Sequence, residues 1–292
     1  MTLYQWIRTL SLDIVAGSLA GGTLFAWLFY APEAMPWSWW CVLALSVWII
    51  YTADHLLDAR RLGADAGTPR HRFHYRHFRA LALALFLAAT GSLALTVLPL
   101  PRPLVLSGLW LGGGALLHLL CAQLAGRIAY PAELVIAMLY TAGIGFAPLV
   151  LANAIGQPTI FAWHCTTLFF LAALGNLIAF SLFEATVDRR EAPGRLLALM
   201  GITGARLVLL AIAPLSLLFA GAAAMQTAGA ANPAAEWTAI GVLLLACLLP
   251  PIVYATREFG AGYLAQRERY RAICDAVFVL YLVPPLVAWL TG

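Results

Sequence analysis

Nine apolar runs divide this chain, and each is long enough to cross a bilayer. A spanning helix needs about 20 apolar residues, because only a helix or a closed barrel satisfies the backbone inside the hydrocarbon core. The chain is 63% apolar and 10% charged, which excludes a soluble globular domain. We predict an all-α integral membrane protein, a bundle of about nine transmembrane helices around a central cavity that opens to the cytoplasmic side. The predicted spans are Leu10–Tyr30, Ser38–Leu57, Phe78–Leu98, Leu104–Leu124, Ala132–Ala152, Phe161–Leu182, Ala205–Ala223, Trp237–Thr256 and Ala272–Leu290.

The arginines predict the orientation. With the N-terminus in the cytoplasm, every basic residue except Arg102 falls on the cytoplasmic side, and all 17 are arginine. This asymmetry is the positive-inside pattern of membrane proteins. We therefore predict a protein of the bacterial inner (plasma) membrane, with an extracytoplasmic C-terminus. Residues 1–292 form a single polytopic domain in this prediction, with cytoplasmic loops at 54–79, 184–204 and 257–271.

The net charge of +4 belongs to this cytoplasmic rim. Anionic lipid headgroups or an anionic substrate explain a basic membrane rim better than nucleic acid does. The five cysteines are isolated within predicted helices, so they indicate buried thiols and no disulfide framework.

Residues 51–79 turn abruptly from apolar to charged. Asp54 and Asp58 are four residues apart, which places them one above the other on a helix face. Carboxylates at the end of a membrane helix are costly and are seldom kept without a partner or a function. Glu184 and Asp188 repeat this spacing at the end of the sixth predicted span, and two adjacent arginines follow each pair. We expect the two pairs to face each other across the cavity.

Paired carboxylates and arginines are typical of a site for a metal-bound anion. Magnesium is commonly held by one or two carboxylates together with phosphate oxygens of the substrate, and arginine binds phosphate through paired donors. A diphosphate headgroup with an apolar tail lying between helices fits this pattern. The candidate catalytic residues and Mg²⁺ ligands are Asp54, Asp58, Glu184 and Asp188. The candidate diphosphate-binding residues are Arg60, Arg61, Arg70, Arg72, Arg189, Asn176 and Tyr130.

These motifs resemble the UbiA-type intramembrane prenyltransferases, which carry two aspartate-rich motifs at the cytoplasmic ends of helices two and six. The resemblance implies a magnesium-dependent transfer of a prenyl group from an isoprenyl diphosphate to a lipophilic, often aromatic, acceptor. It also relates the loop around Arg70 and Arg72, and the Tyr130-Pro131 turn, to the family. The chain departs from the family pattern at Ile50-Tyr51, where Asn-Asp is usual, and at Glu184, where aspartate is usual.

Other interpretations remain open. A terpene cyclase of the same type, a non-catalytic lipid-binding relative and a transporter all fit a polytopic bundle. A transporter site usually lies near the midplane of the membrane, whereas the two acidic pairs of this chain lie at one rim. The run His71-x2-His74-x2-His77 favours an anion-binding or lipid-facing segment over a zinc site, because arginines alternate with the histidines.

Two further acids have simpler explanations in the sequence. Glu133 follows Pro131 at the start of a span, where the positive end of a helix favours a carboxylate. Asp275 lies four residues after Arg271, and such a pair would neutralise an acid at the start of the last span.

Overall fold

The computed structural model describes residues 3–63, 69–123, 130–152, 159–187, 195–228, 230–256 and 269–291. Within these ranges nine helices are long and apolar enough to cross a membrane, and no residue forms a β-strand. The predicted fold class, an all-α membrane bundle, is confirmed. The helices in chain order are α1 (Leu3–Thr9), α2 (Leu12–Phe29), α3 (Trp37–Leu62), α4 (Pro69–Arg76), α5 (Phe78–Val97), α6 (Arg102–Gln123), α7 (Ala132–Ala152), α8 (Ile160–Val187), α9 (Arg195–Ala224), α10 (Pro233–Ala255), α11 (Arg269–Ala276) and α12 (Val283–Thr291).

Two short 3₁₀ segments complete the elements within the described ranges. Pro32–Ala34 lies between α2 and α3, and Val277–Leu282 joins α11 to α12, so that Arg269–Thr291 forms the last span. Much of the segment 54–79 that we expected as a loop is helical: residues 54–62 continue α3, and α4 follows. α8 extends past the predicted end at Leu182, which places Glu184 inside a helix. α9 is broken at Gly201, whose φ of 68° lies in the left-handed region that favours glycine.

The chain divides into two compact units. Unit 1 comprises Met1–Leu19 and Met35–Ala125, and unit 2 comprises Ala20–Ala34 and Gly126–Gly292. In unit 1, α3 packs against α4 and α5. α5 and α6 expose large apolar side chains, including Phe86, Leu106 and Trp110. Such surfaces suit the hydrocarbon of a membrane, in which apolar side chains cost nothing to expose.

Unit 2 is built around α8, which packs against α7, α9 and α10. Cys165, Leu168 and Phe169 on α8 are fully buried. Four rings from three other segments surround Phe169, with centroids 5.0 Å away at Phe25, 5.8 Å at Tyr140, 6.4 Å at Phe278 and 5.1 Å at Tyr281. This aromatic cluster of five rings joins α8 to α2, α7 and the last span.

Two glycines of α7 offer a direct test of this packing. A Cβ at Gly145 would lie 2.7 Å from the ring of Phe25, which is itself buried against Phe169, whereas a Cβ at Gly143 would meet nothing within 4 Å. We expect Gly145→Ala to destabilise the protein by about 1–3 kcal/mol through overpacking. Gly143→Ala should be neutral or stabilising, because alanine favours a helix over glycine. Thermal unfolding in detergent compares the two variants, and equal midpoints would contradict the close approach of Phe25.

Candidate functional site

The first acidic pair lies on the last turns of α3. Asp54 and Asp58 are one turn apart and half-buried, and Arg60 beyond them is exposed. α3 ends at Gly63, whose φ is 74° and whose amide donates to the carbonyl of Ala59 at 3.0 Å. A glycine in this conformation ends a helix without strain. The sequence therefore stops α3 shortly after its two carboxylates, at the base of the charged segment.

α4 folds back onto α3 through three buried histidines. The His55 ring of α3 lies 5.1 Å from the ring of His74 and 6.3 Å from that of His71. All three side chains are buried, whereas His77 is exposed. Arg70 and Arg72, on the same short helix, are half-buried. The histidine run therefore separates into two members that pack against α3 and one that does not.

His74 has a defined tautomer. Its Nδ1 lies 2.9 Å from the backbone carbonyl of Arg70, and because a carbonyl only accepts, Nδ1 carries the proton. Burial lowers the pKa of His74 below its ordinary value of 6.5, and the charges of Arg70 and His71 lower it further. The folded protein therefore favours the neutral imidazole.

We expect the docking of α4 to depend on pH. A group whose pKa is lowered on folding binds more protons in the undocked state, so its stabilisation is present above pH 6.5 and is lost as the pH falls below that value. His74→Asn keeps a donor near the Arg70 carbonyl but does not titrate. Hydrogen exchange of residues 69–76 at pH 7.5 and 5.5 measures the effect. The acid-induced loss of protection should be smaller in His74→Asn than in the wild type, and an equal loss would contradict the role of His74.

A third acid of unit 1 was missed by the sequence analysis. Asp13, in the first turn of α2, forms an ion pair with Arg8 at 3.6 Å across a turn in which Ser11 has a φ of 55°. α1 also contacts α4, since the Trp6 and Phe73 rings meet edge to face at 5.3 Å. The available signal was an acid inside the predicted span Leu10–Tyr30 with an arginine five residues before it.

The second acidic pair is described at Glu184 only. Asp188 and Arg189 lie outside the described residues, as does any contact they make. Glu184 forms an ion pair with Arg271, at the start of the last span. The Arg271 guanidinium also lies over the ring of Phe180, 4.8 Å from its centroid, in cation–π geometry. One arginine therefore connects a candidate site carboxylate to an aromatic face one turn deeper.

Asn176 lies on α8 about two turns before Glu184. Its Nδ2 donates to Oδ1 of Asp275 at 3.0 Å. Arg271 and Asp275 thus both reach α8, at Glu184 and Asn176 respectively. The expected pairing of Arg271 with Asp275 stays a prediction.

Aromatic rings enclose this end of unit 2. Phe183 stacks on Tyr270 at 4.4 Å and meets Tyr254 edge to face at 5.6 Å. Arg206 donates through Nε to the hydroxyl of Tyr254 at 2.7 Å. Tyr254, Tyr270 and Arg206 were not singled out in the sequence, because their partners come from helices far along the chain.

Glu133 joins three helices rather than stabilising only its own. Its Oε1 accepts from the Ser181 hydroxyl of α8 at 2.9 Å, and its Oε2 accepts from the backbone amide of Leu196 at 2.8 Å. Leu196 lies in the first turn of α9, where amides have no partner within the helix. The carboxylate therefore caps α9, a neighbouring helix, from the first turn of α7.

The remaining candidates are only partly placed. Tyr130 is half-buried directly before α7, and Arg61 lies in α3, where its side chain is not described. The described candidates of the first pair belong to unit 1, and Glu184, Asn176 and Tyr130 belong to unit 2. The expected meeting of the two acidic pairs stays a prediction.

The donor chemistry of Asp54 and Asp58 suits magnesium. Two carboxylates one helical turn apart supply the oxygen ligands that Mg²⁺ prefers, and the ion commonly completes its shell with water and substrate phosphate. Among the described residues, no group of three His, Cys, Asp or Glu side chains is arranged to hold a metal ion. Asp54, Asp58 and Glu184 remain the candidate ligands, and the assignment of Asp188 as a ligand stays a prediction because this residue lies outside the described ranges.

Comparison of this chain with protein families, with curated proteins and with solved structures finds no match in any of the three.

Proposed function

We propose that this protein is an intramembrane prenyltransferase, which binds an isoprenyl diphosphate and transfers the prenyl group to a lipophilic acceptor. The observation that carries the proposal is that two membrane spans, α3 and α8, have carboxylates in their last turns and basic residues packed nearby. α3 carries Asp54 and Asp58 in its last turns and packs against α4, which carries three arginines, and α8 carries Glu184, paired to Arg271, in its last turn. Carboxylates and guanidiniums together suit a metal-bound diphosphate better than a simple anion.

The residues near the end of α8 have separate roles in this reaction. Arg271 is the added candidate for a diphosphate contact, since its guanidinium already lies at the end of α8 and its Glu184 partner is a candidate metal ligand. Phe180 beneath it offers a π face to positive charge that develops at the allylic carbon. Magnesium, when bound, would neutralise the diphosphate and stabilise it as a leaving group. The aromatic rings of Phe183, Tyr254 and Tyr270 would exclude water from the reacting carbon.

We also propose the membrane in which the protein lies and the side of that membrane on which each terminus lies. The arginine asymmetry supports a cytoplasmic N-terminus and an extracytoplasmic C-terminus in a bacterial inner membrane. The second and sixth spans would then both end at the cytoplasmic surface, where a diphosphate headgroup of the inner leaflet lies. We propose that the chain is a divergent relative of the UbiA-type enzymes that its motifs resemble.

The test uses the full chain in nanodiscs. Pyrophosphate release is followed from geranyl, farnesyl and geranylgeranyl diphosphate, with and without magnesium, with a membrane extract as the acceptor source. We expect magnesium-dependent release, and mass spectrometry of the lipid products separates a prenylated acceptor from a cyclised hydrocarbon. Absence of release, together with absence of magnesium-dependent binding of all three diphosphates, would refute the proposal.

A further inference from the structure

α9 carries an arginine on a face of large exposed apolar side chains. Arg206 is exposed, and so are Ile202, four residues before it, and Leu210 and Leu217, four and eleven residues after it. Residues at these spacings share one face of a helix. Because exposed apolar side chains of a membrane span face the lipid, Arg206 lies on a lipid-facing surface of unit 2.

The surrounding chain places Arg206 at the edge of the hydrocarbon. Residues 207–224 of α9 carry no charge and cover about 27 Å, close to the thickness of a bilayer core. On the other side of Arg206, α9 is broken at Gly201. Tyr254, which contacts Arg206, lies at the end of α10 and meets Phe183 near the end of α8. Arg206 is therefore at the level where lipid headgroups begin.

A tyrosine orients the guanidinium of Arg206. Its Nε donates to the Tyr254 hydroxyl at 2.7 Å, and the Tyr254 side chain is buried. Among the described residues, Arg206 has no acidic partner within ion-pair distance. A guanidinium held through Nε still presents its two terminal nitrogens as a paired donor, which is the geometry that binds two oxygens of one phosphate.

We propose that Arg206 and Tyr254 form a site for the headgroup of an anionic phospholipid on the lipid-facing surface of unit 2. The phosphate accepts from the terminal nitrogens of Arg206, and an acyl chain lies along Leu210 and Leu217. A charge that faces lipid is costly without a partner, and the headgroup supplies the opposite charge at this level. An acidic lipid is favoured over a zwitterionic one, because no ammonium group cancels its charge. This site goes beyond the proposed function and does not require prenyl transfer.

Arg79 provides an internal comparison. It lies in the first turn of α5 in unit 1 and is exposed, as are Leu83 and Phe86 one and two turns further on. Arg79 therefore also faces lipid, but among the described residues no side chain forms a hydrogen bond with its guanidinium. General attraction between acidic lipid and arginine acts at both helices, whereas the proposed site adds an oriented phosphate contact at α9 only.

The experiment is photocrosslinking of the full chain in nanodiscs that contain phosphatidylglycerol and phosphatidylcholine in equal amounts. One lipid carries a diazirine on an acyl chain, and the label is moved to the other lipid in a second preparation. Mass spectrometry of the crosslinked peptides gives the ratio of the two lipids at residues 207–218 and at residues 80–90. We expect a ratio of about tenfold in favour of phosphatidylglycerol at α9 and about fivefold or less at α5. Equal ratios at the two helices overturn the proposal.

The variants separate an oriented site from charge alone. Arg206→Gln should lower the ratio at α9 by about fivefold and leave the ratio at α5 unchanged, and the matched control Arg79→Gln should do the reverse. Tyr254→Phe keeps the charge of Arg206 and removes the hydroxyl that orients it, so it should lower the ratio at α9 to the level at α5. An unchanged ratio at α9 in either Arg206→Gln or Tyr254→Phe overturns the proposal, and the ratio at α5 reports whether each variant is folded.

Inorganic phosphate distinguishes a lipid headgroup from a free anion. The crosslinking is repeated with phosphate and with chloride at equal ionic strength, and we expect the same ratio at α9 in both. If phosphate alone abolishes the ratio, the site binds a free anion and the lipid assignment is overturned. Pyrophosphate release is measured in none of these experiments, so failure of the lipid site and failure of the prenyltransferase are distinguishable.

Discussion

Asp54→Asn and Asp58→Asn are each expected to lower magnesium-dependent pyrophosphate release by at least about 100-fold, since even the outer partners of metal ligands contribute 10–100-fold. Each change keeps the size of the side chain and removes its charge. The two residues lie one turn apart on the same helix end, so loss of either leaves one carboxylate to bind the ion. The measurement is the initial rate of release from the best isoprenyl diphosphate, in the same nanodisc preparation for all variants.

The matched control for these variants is Glu33→Gln. Glu33 is an exposed acid on the segment between the first two spans, which the predicted orientation places on the extracytoplasmic side. An exposed substitution of this kind usually changes stability by less than about 0.5 kcal/mol. Glu33→Gln should retain the wild-type rate. Full release by Asp54→Asn, with its magnesium dependence unchanged, would show that the first acidic pair is not the metal site.

Glu133→Leu is expected to destabilise the protein by about 3 kcal/mol, because two hydrogen bonds to a buried charged acceptor are lost together. The change leaves the Ser181 hydroxyl and the Leu196 amide without their acceptor. It also releases the first turn of α9 from α7. Glu133→Gln keeps one acceptor oxygen at nearly the same volume, so it should cost less than Glu133→Leu. Reversible unfolding in SDS–detergent mixtures measures both.

Ser181→Ala isolates one of the two bonds. It removes the hydroxyl donor and keeps the Glu133 contact with Leu196, so we expect a loss of about 1–1.5 kcal/mol. The order of stability should be wild type, Ser181→Ala and Glu133→Leu, from highest to lowest. If Glu133→Leu were no less stable than Ser181→Ala, the capping of α9 by Glu133 would contribute nothing to stability.

The sequence alone determined the helical class and predicted about nine spans, and the described residues contain nine. Each span must satisfy its backbone polar groups within itself, so the length and the polarity of a local segment decide that it is a helix. This is why Ala132–Ala152 and most other predicted spans agree with the structure to within a few residues. The abrupt appearance of Asp54, Asp58 and Glu184 after apolar runs also marked the candidate carboxylates without any tertiary information.

The tertiary structure decided which partners these groups have. Arg271 reaches Glu184 from the other end of unit 2, Asn176 bonds Asp275, and Gly145 accommodates the ring of Phe25. None of these pairs has a local spacing that a sequence pattern could reveal.

The physical reason lies in the solvent. In a water-soluble protein, an apolar stripe along a helix shows which face is buried. Lipid tails are as apolar as a protein core. In a membrane helix, the residues that face lipid and those that are buried against other helices therefore have the same apolar composition. The sequence therefore determined that these helices form and where their charges lie, and only packing decided which faces meet.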